Sequence, residues 1–198
     1  MKVLKFQEGN LEKIVDEIEK IIKKGGIVLS PTDTVYGFLC DYSNKKAIEK
    51  LFKLKKREKS KPFPIFVKNL KMARIFAKIN NKEICFLKKV WPGKTTVILE
   101  RKINVFPNIF PNKKTIGLRV SKHKLIKGLF RKIDYPIVQT SANISGRPCS
   151  TQIKEILKEF VKSSKVQPDL IIDAGNLKLS KPSQIIDLTK SKPILLRR

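Results

Sequence analysis

At 198 residues with 41% hydrophobic content, the chain is long enough to bury a sizeable core as one domain. Its 44 Lys+Arg against 17 Asp+Glu leave a formal charge of +27, which suits a polyanionic partner such as nucleic acid or a nucleotide; a Lys-rich composition without such a partner stays open as the alternative. Three scattered cysteines without a C-x-x-C pair exclude a disulfide framework or zinc ribbon, a lone histidine excludes a histidine cluster, and no stretch approaches the roughly 18 apolar residues of a membrane span.

Cys40, Cys85 and Cys149 read as reduced cysteines, and His123 as a solvated position in the basic run Lys122-His123-Lys124. Met1 to Asn10 lacks the apolar core of a signal peptide, so a soluble, cytoplasmic protein is expected. Leu11, Ile14, Val15, Ile18, Ile21 and Ile22 recur at helical spacing, with Asn10 as N-cap and Gly25-Gly26 as the stop. A strand over Ile27 to Leu29 follows, and Pro31 ends it by fixing its own φ and biasing Ser30 away from helix. The loop that opens there, Ser30 to Asp41, reads S-P-T-D-T-V-Y-G-F-L-C-D. It crowds Thr32, Asp33, Thr34 and Tyr36 before Gly37, a set of hydroxyls, a carboxylate and an aromatic face able to surround a polar ligand, although turn chemistry alone accounts for the same residues.

Ser43 or Asn44 caps a second helix, with Ala47, Ile48, Leu51 and Phe52 on one face and Lys55-Lys56-Arg57 at its end. Pro64 to Val67 has strand composition, and helical patterns run through Met72 to Phe76 and Ile84 to Val90, where Trp91-Pro92-Gly93 breaks the second. Thr95 to Glu100 and Thr115 to Val120 predict strands on either side of a Pro- and Asn-rich loop, Val105 to Asn112. Leu125, Leu129 and Phe130 predict a helix, Ile137-Val138 a strand, and Ile153, Ile156, Leu157 and Phe160 a last helix. Leu170 to Ile172, Ile185 to Leu188 and Ile194 to Leu196 complete the strands. Helices and strands alternate early and strands cluster later, which predicts one α/β domain over residues 1–198 with a twisted, mixed parallel and antiparallel open sheet covered by helices.

Further polar clusters stand where a core would not choose them. Lys55, Arg57 and Lys61 bring three cations to a helix end, where they suit phosphate oxygens or simply complement the helix dipole in solvent. Arg119 lies among Ile116, Leu118 and Val120 on a strand, where a planar fork aimed at a carboxylate or phosphate and a plain edge-strand arginine are both open. Thr140 to Gly146 follows a buried strand, the position at which open α/β sheets bind ligands, and reads equally as a capped loop. No Walker A loop, Rossmann fingerprint or nucleophile–base pair is present.

Together these segments resemble the YrdC family of L-threonylcarbamoyladenylate synthases, which activate threonine for the threonylcarbamoyl-adenosine modification of transfer RNA. Pro31 to Gly37 is similar to the family's P-T-D-T-V-Y-G signature, and Lys55-x-Arg57 and Ser141-x-Asn143 to its K-x-R and S-x-N pairs. Trp91-Pro92-Gly93, Thr115 to Arg119, Ser145 to Pro148 and Ser183 to Asp187 follow in family order. The resemblance implies a concave basic cavity for ATP, Mg²⁺, L-threonine and bicarbonate. It assigns Thr32, Arg119 and Ser183 to threonine, and Arg57, Lys61, Thr115, Ser141, Cys149 and Arg197 to ATP, with Lys55, Arg57, Ser141 and Asn143 at the reacting centre. Mg²⁺ is expected to ride mainly on the phosphates, and no C-terminal extra domain is expected.

The implied chemistry needs no covalent nucleophile, only preorganised cations around developing phosphate and carbamate charge. The sequence departs from the family pattern at Glu58, Lys94, Ser121, Gln184 and Cys149. The implied partners are transfer RNA or double-stranded RNA on the basic surface and a separate downstream transferase. The alternative reading is a non-catalytic RNA-binding protein of the same fold, acting on structured RNA or in ribosome assembly. A carbamoyl-adenylate domain of the hydrogenase-maturation kind is disfavoured by the absence of zinc-type cysteines.

Overall fold

The computed structural model describes residues 2–103, 113–162 and 166–198. In chain order these form β1 (Lys2–Lys5), α1 (Leu11–Lys23), β2 (Val28–Ser30), β3 (Gly37–Asp41), α2 (Lys45–Lys55) and β4 (Ile65–Phe66). Next come α3 (Leu70–Phe76), α4 (Asn81–Val90), β5 (Thr95–Glu100), β6 (Thr115–Arg119), α5 (Lys124–Lys132) and β7 (Ile137–Ser141). The last are α6 (Ile153–Leu157), which runs on as a π turn over Lys158–Lys162, then β8 (Leu170–Asp173), β9 (Gln184–Asp187) and β10 (Ile194–Arg197). The expected loop Val105 to Asn112 lies outside the described residues.

The strands make one open mixed sheet in the order β1-β8-β2-β3-β7-β4-β6-β5-β9-β10. The β1/β8, β8/β2, β4/β6 and β5/β9 pairs are parallel and the other neighbours antiparallel. Two strands depart from the sequence reading. Gly37 to Asp41, taken there as the tail of a loop, is β3 and almost wholly buried between β2 and β7, so it lacks the alternation that marks a half-exposed strand. β1 is a short, mostly exposed edge strand whose Lys2 and Lys5 guard an unpaired flank.

Helix boundaries follow the sequence with local corrections. Gly25, at φ 76°, and Gly26 close α1 through N–H bonds to Ile22 and Ile21, each 2.9 Å, a Schellman stop. Asn10 occupies the N-cap position of α1 but does not cap it: its side chain accepts from the Gln7 N–H and donates to the Lys5 carbonyl, holding the preceding 3-10 turn. Asn44, not Ser43, caps α2 by accepting the Ala47 N–H at 3.0 Å. His123 is a second correction, being half-buried where a solvated position was expected, with Nδ1 enclosed without a partner among the described residues. Burial lowers its pKa.

α1 buries Ile14, Val15, Ile18 and Ile22 against β2, β3 and β8, and packs beside α5, where Gly128 meets Val15. What positions the site is the centre of the sheet. Ser30 pairs with Gly37 and Gly37 with Ser141, so the loop 31–36 and the loop after β7 leave three adjacent strands at one level. A Cβ on Gly37 would lie 2.6 Å from Gln139 Nε2 and 2.8 Å from the Thr140 carbonyl. Gly37→Ala should therefore destabilise the protein by about 1–3 kcal/mol and lower Tm in thermal unfolding. Gly9→Ala, with nothing within 4 Å of the new carbon, should change Tm little.

Candidate active site

The loop 31–36 is built by its own side chains. Thr32 Oγ1 accepts the Thr34 N–H at 3.1 Å and donates to the Val35 carbonyl at 2.6 Å, a local turn that commits this buried hydroxyl to the backbone. Tyr36 lies in the core: its hydroxyl donates to the Gly175 carbonyl and accepts the Ala174 N–H, at 2.7 and 2.9 Å. Burial pushes its pKa up to about 12, so it stays a neutral anchor between the loop and the exit of β8. Thr34 and Val35 are the loop residues that reach the cavity.

Asp33 and Arg119 form the buried ion pair of the site, with side chains 5% and 1% exposed and Nη2 to Oδ1 at 2.7 Å. The carboxylate also accepts from Ser121 Oγ at 2.9 Å and the Lys122 N–H at 3.3 Å. Arg119 Nε donates to the Gly93 carbonyl at 2.9 Å, and the guanidinium lies 5.4 Å from the Phe66 ring centre. Burial lowers the arginine's pKa and Asp33 opposes that shift; Nε and Nη2 are held, and Nη1 has no hydrogen-bond partner among the described residues.

Lys55 closes the opposite side. The last residue of α2, it is 2% exposed, and Nζ donates to the carbonyls of Ser141 and Asn143 at 2.5 and 2.8 Å and to Asn143 Oδ1 at 3.2 Å. Its own carbonyl accepts the Ser145 N–H at 2.9 Å, so backbone and side chain both bind it to the loop after β7. Asn143 Oδ1 also accepts from Ser141 Oγ at 2.6 Å, and Nδ2 donates to the Ile144 and Arg147 carbonyls. Ser145 Oγ is enclosed beside this cluster without a partner among the described residues. Burial, with Arg57 as second cause, pulls the Lys55 pKa down to about 7.

Thr34, Arg119, Lys55, Asn143 and Ser145 line one open cavity of about 290 Å³. Of the expected residues, Lys55, Arg57, Arg119, Ser141, Asn143, Cys149, Ser183 and Arg197 line it. Ser183 Oγ lies 3.0 Å from Thr96 Oγ1 and 3.2 Å from Arg197 Nη2, while Arg197 also donates twice to the Ser183 carbonyl. Arg57 donates to the carbonyls of Lys61 and Pro62 and lies over Phe63. Three expected residues are not among the lining: Thr32, whose hydroxyl is committed to its own loop; Lys61, exposed and paired with Glu58 at 3.0 Å; and Thr115, exposed at the start of β6.

Thr34, Thr140 and Arg147, which stood in polar or motif stretches of the sequence without an assigned role, also line the cavity, as do Thr96 and Gln139, which had not been singled out. Thr96 and Gln139 carried no sequence signal and depend on strand pairing. Five cations and no Asp or Glu face the cavity among the described residues. No group of three His, Cys, Asp or Glu among them is placed to hold a metal. The arrangement therefore offers charge and hydroxyls to an anionic, polyoxygenated ligand and no general base of its own beyond Lys55.

Comparison with known proteins agrees with this geometry. A family model for Sua5/YciO/YrdC proteins, described as telomere recombination, matches residues 20–198. The putative threonylcarbamoyl-AMP synthase of Methanocaldococcus jannaschii is 35% identical over 100% of this chain and 91% of its own length. The threonylcarbamoyl-AMP synthase of Pyrococcus abyssi is 32% identical over 89% of this chain, which spans 51% of that protein. The crystal structure of P. abyssi Sua5 with L-threonine aligns with a TM-score of 0.85 at 28% identity, over 99% of this chain and 56% of that one. YciO of Escherichia coli aligns with a TM-score of 0.85 at 25% identity, over 100% and 94%.

The Lys55 environment has a thermodynamic signature. An unfolded lysine ionises near 10.4, so between about pH 7 and 10 the unfolded chain holds more protons at this position than the folded one, and stability must rise with pH there. Lys55→Met removes that contribution. The stability difference between wild type and variant, from urea unfolding at several pH values, should grow with pH by at most about 1.4 kcal/mol per unit, whereas parallel curves would place the ammonium in solvent.

Proposed function

The chain belongs to the Sua5/YciO/YrdC family, and we propose that it is an L-threonylcarbamoyladenylate synthase, a nucleotidyltransferase acting on L-threonine, bicarbonate and ATP. The observation that carries this reading is the cavity with five cationic side chains and no facing carboxylate, in a chain 35% identical to a putative enzyme of that name. In the reaction the threonine amine adds to bicarbonate and water leaves. A carbamate oxygen then attacks the α-phosphorus of ATP, and the bond to the β-phosphate breaks with pyrophosphate taking the electron pair. Each step gathers negative charge on oxygen, which fixed cations in a water-poor cleft stabilise without reorganising.

The side chains divide naturally between the two substrates. Arg119, already half-neutralised by Asp33, has one nitrogen for the threonine carboxylate, and Ser183 and Thr96 place hydroxyls nearby. Arg57 and Arg197 are held only by backbone carbonyls and Ser183, so their charge is available to phosphates. Lys55, Ser141 and Asn143 lie between as the reacting centre. Thr32 acts here by positioning Thr34, not by direct contact. A lining of hydroxyls without carboxylates suits Mg²⁺ carried by the ATP phosphates and water. The mixed anhydride produced would pass to a separate transferase acting on transfer RNA.

Two measurements test this reading. Pyrophosphate release from ATP should require both L-threonine and bicarbonate, and release indifferent to threonine would overturn the assignment. In calorimetric titrations, Arg119→Lys keeps the charge paired with Asp33 but loses the fork, and should weaken threonine binding by roughly tenfold or more with little change for ATP. Arg57→Ala should do the reverse.

A further inference from the structure

Two cavities meet at one strip of chain. The loop after β7 gives Ser145, Arg147 and Cys149 to the substrate cavity, and Ile144, Arg147, Pro148 and Ser150 to a second open cavity of about 480 Å³. α6 and its π turn wall that second cavity with Glu155, Ile156, Lys158 and Glu159. Among the described residues, Arg147 alone lines both.

Two carboxylates hold this strip from the side of the second cavity. Glu155 accepts from Ser150 Oγ at 2.5 Å, and Glu159 Oε1 accepts from Arg147 Nη1 at 3.3 Å. The Arg147 backbone is tied to the reacting centre, because its carbonyl accepts from Asn143 Nδ2 at 2.5 Å and its N–H donates to the Ile144 carbonyl at 3.0 Å. The side chain is held far less firmly: it is 66% exposed and makes one ion-pair contact, with Glu159, of the exposed kind that is worth little in water. Each of the other four cations in the cavity makes at least two side-chain hydrogen bonds. Arg147 is therefore the cavity cation with the most freedom to move.

We propose that Arg147 is a mobile phosphate contact of the substrate cavity and that Glu159 is its positioning residue, drawing the guanidinium toward the second cavity while no anion is bound. The identity of that anion, the triphosphate of ATP, rests on the synthase reading. An arginine fork donates to two phosphate oxygens at once, whereas Glu159 holds it by one contact, so an arriving phosphate chain outcompetes the carboxylate. A cation released on arrival also meets the charge that develops on the departing pyrophosphate. Glu159 has a second route to the ligand, because its charge favours the protonated form of Lys55. The two routes are separable.

The test is calorimetric titration of the full chain with ATP, with inorganic pyrophosphate and with L-threonine. Arg147→Gln should weaken ATP and pyrophosphate binding by about tenfold and leave threonine within about twofold, and Arg147→Lys should recover part of the loss. Glu159→Gln frees the guanidinium and should tighten both phosphate ligands by up to about fivefold. In the Arg147→Gln background the same change should have no effect. Tightening of equal size in both backgrounds would mean that Glu159 acts through its field at Lys55, and would overturn the positioning role. Unchanged ATP and pyrophosphate binding by Arg147→Gln would overturn the contact. Both positions are partly exposed and both Gln variants should keep a Tm close to wild type. A chain that binds ATP with the expected pattern but releases no pyrophosphate with threonine and bicarbonate refutes the synthase reading alone. Threonine-dependent release, with phosphate binding untouched in Arg147→Gln, refutes the mobile contact alone, and a wild type that binds neither ATP nor pyrophosphate refutes both.

Discussion

The buried ammonium of Lys55 is the constraint around which the cavity is organised. A cation taken out of water is costly unless every hydrogen finds an acceptor, and here three acceptors from Ser141 and Asn143 surround Nζ. That requirement ties the end of α2 to the end of β7 and sets the course of the loop through Ser145 and Arg147. The acceptors are neutral dipoles, so they satisfy hydrogen bonds without cancelling charge. Burial accordingly depresses the lysine's pKa, and an arriving anion would be the first group in the cavity to compensate it.

Arg119 shows the opposite solution. Asp33 neutralises it inside the protein and leaves only directional hydrogen bonding for a ligand, whereas Arg57, Arg197 and Lys55 meet neutral oxygen. The cavity thus combines one cation neutralised inside the protein with others that meet only neutral oxygen. That division explains why the T-D-T run sits where it does: Asp33 acts on Arg119, Thr32 shapes the turn, and Thr34 alone faces the ligand space.

Much of this was legible in the sequence, and what was not has identifiable causes. The amphipathic helices and half-buried strands stood out because their apolar spacing matches the period of the element. β3 did not, since a strand buried on both faces reads as an undifferentiated apolar run, and its Gly37 start resembled the end of a turn. The motif residues on loops were readable as a group, but which hydroxyl of T-D-T faces inward depends on a bond between Thr32 and the Val35 carbonyl that no spacing rule encodes. Thr96 and Gln139 enter the cavity only through the pairing of β5 with β9 and β7 with β3, contacts between segments far apart in sequence. His123 misled because its lysine neighbours point outward while the ring turns in.

The excess of positive charge has two physical populations. A genome that simply favours lysine would add it where it costs little, on exposed helix faces. It would not place Lys55 and Arg119 at 2% and 1% exposure, where each demands a specific set of acceptors. The buried cations are therefore tied to the acceptors that hold them around the cavity, a requirement that the exposed lysines do not share.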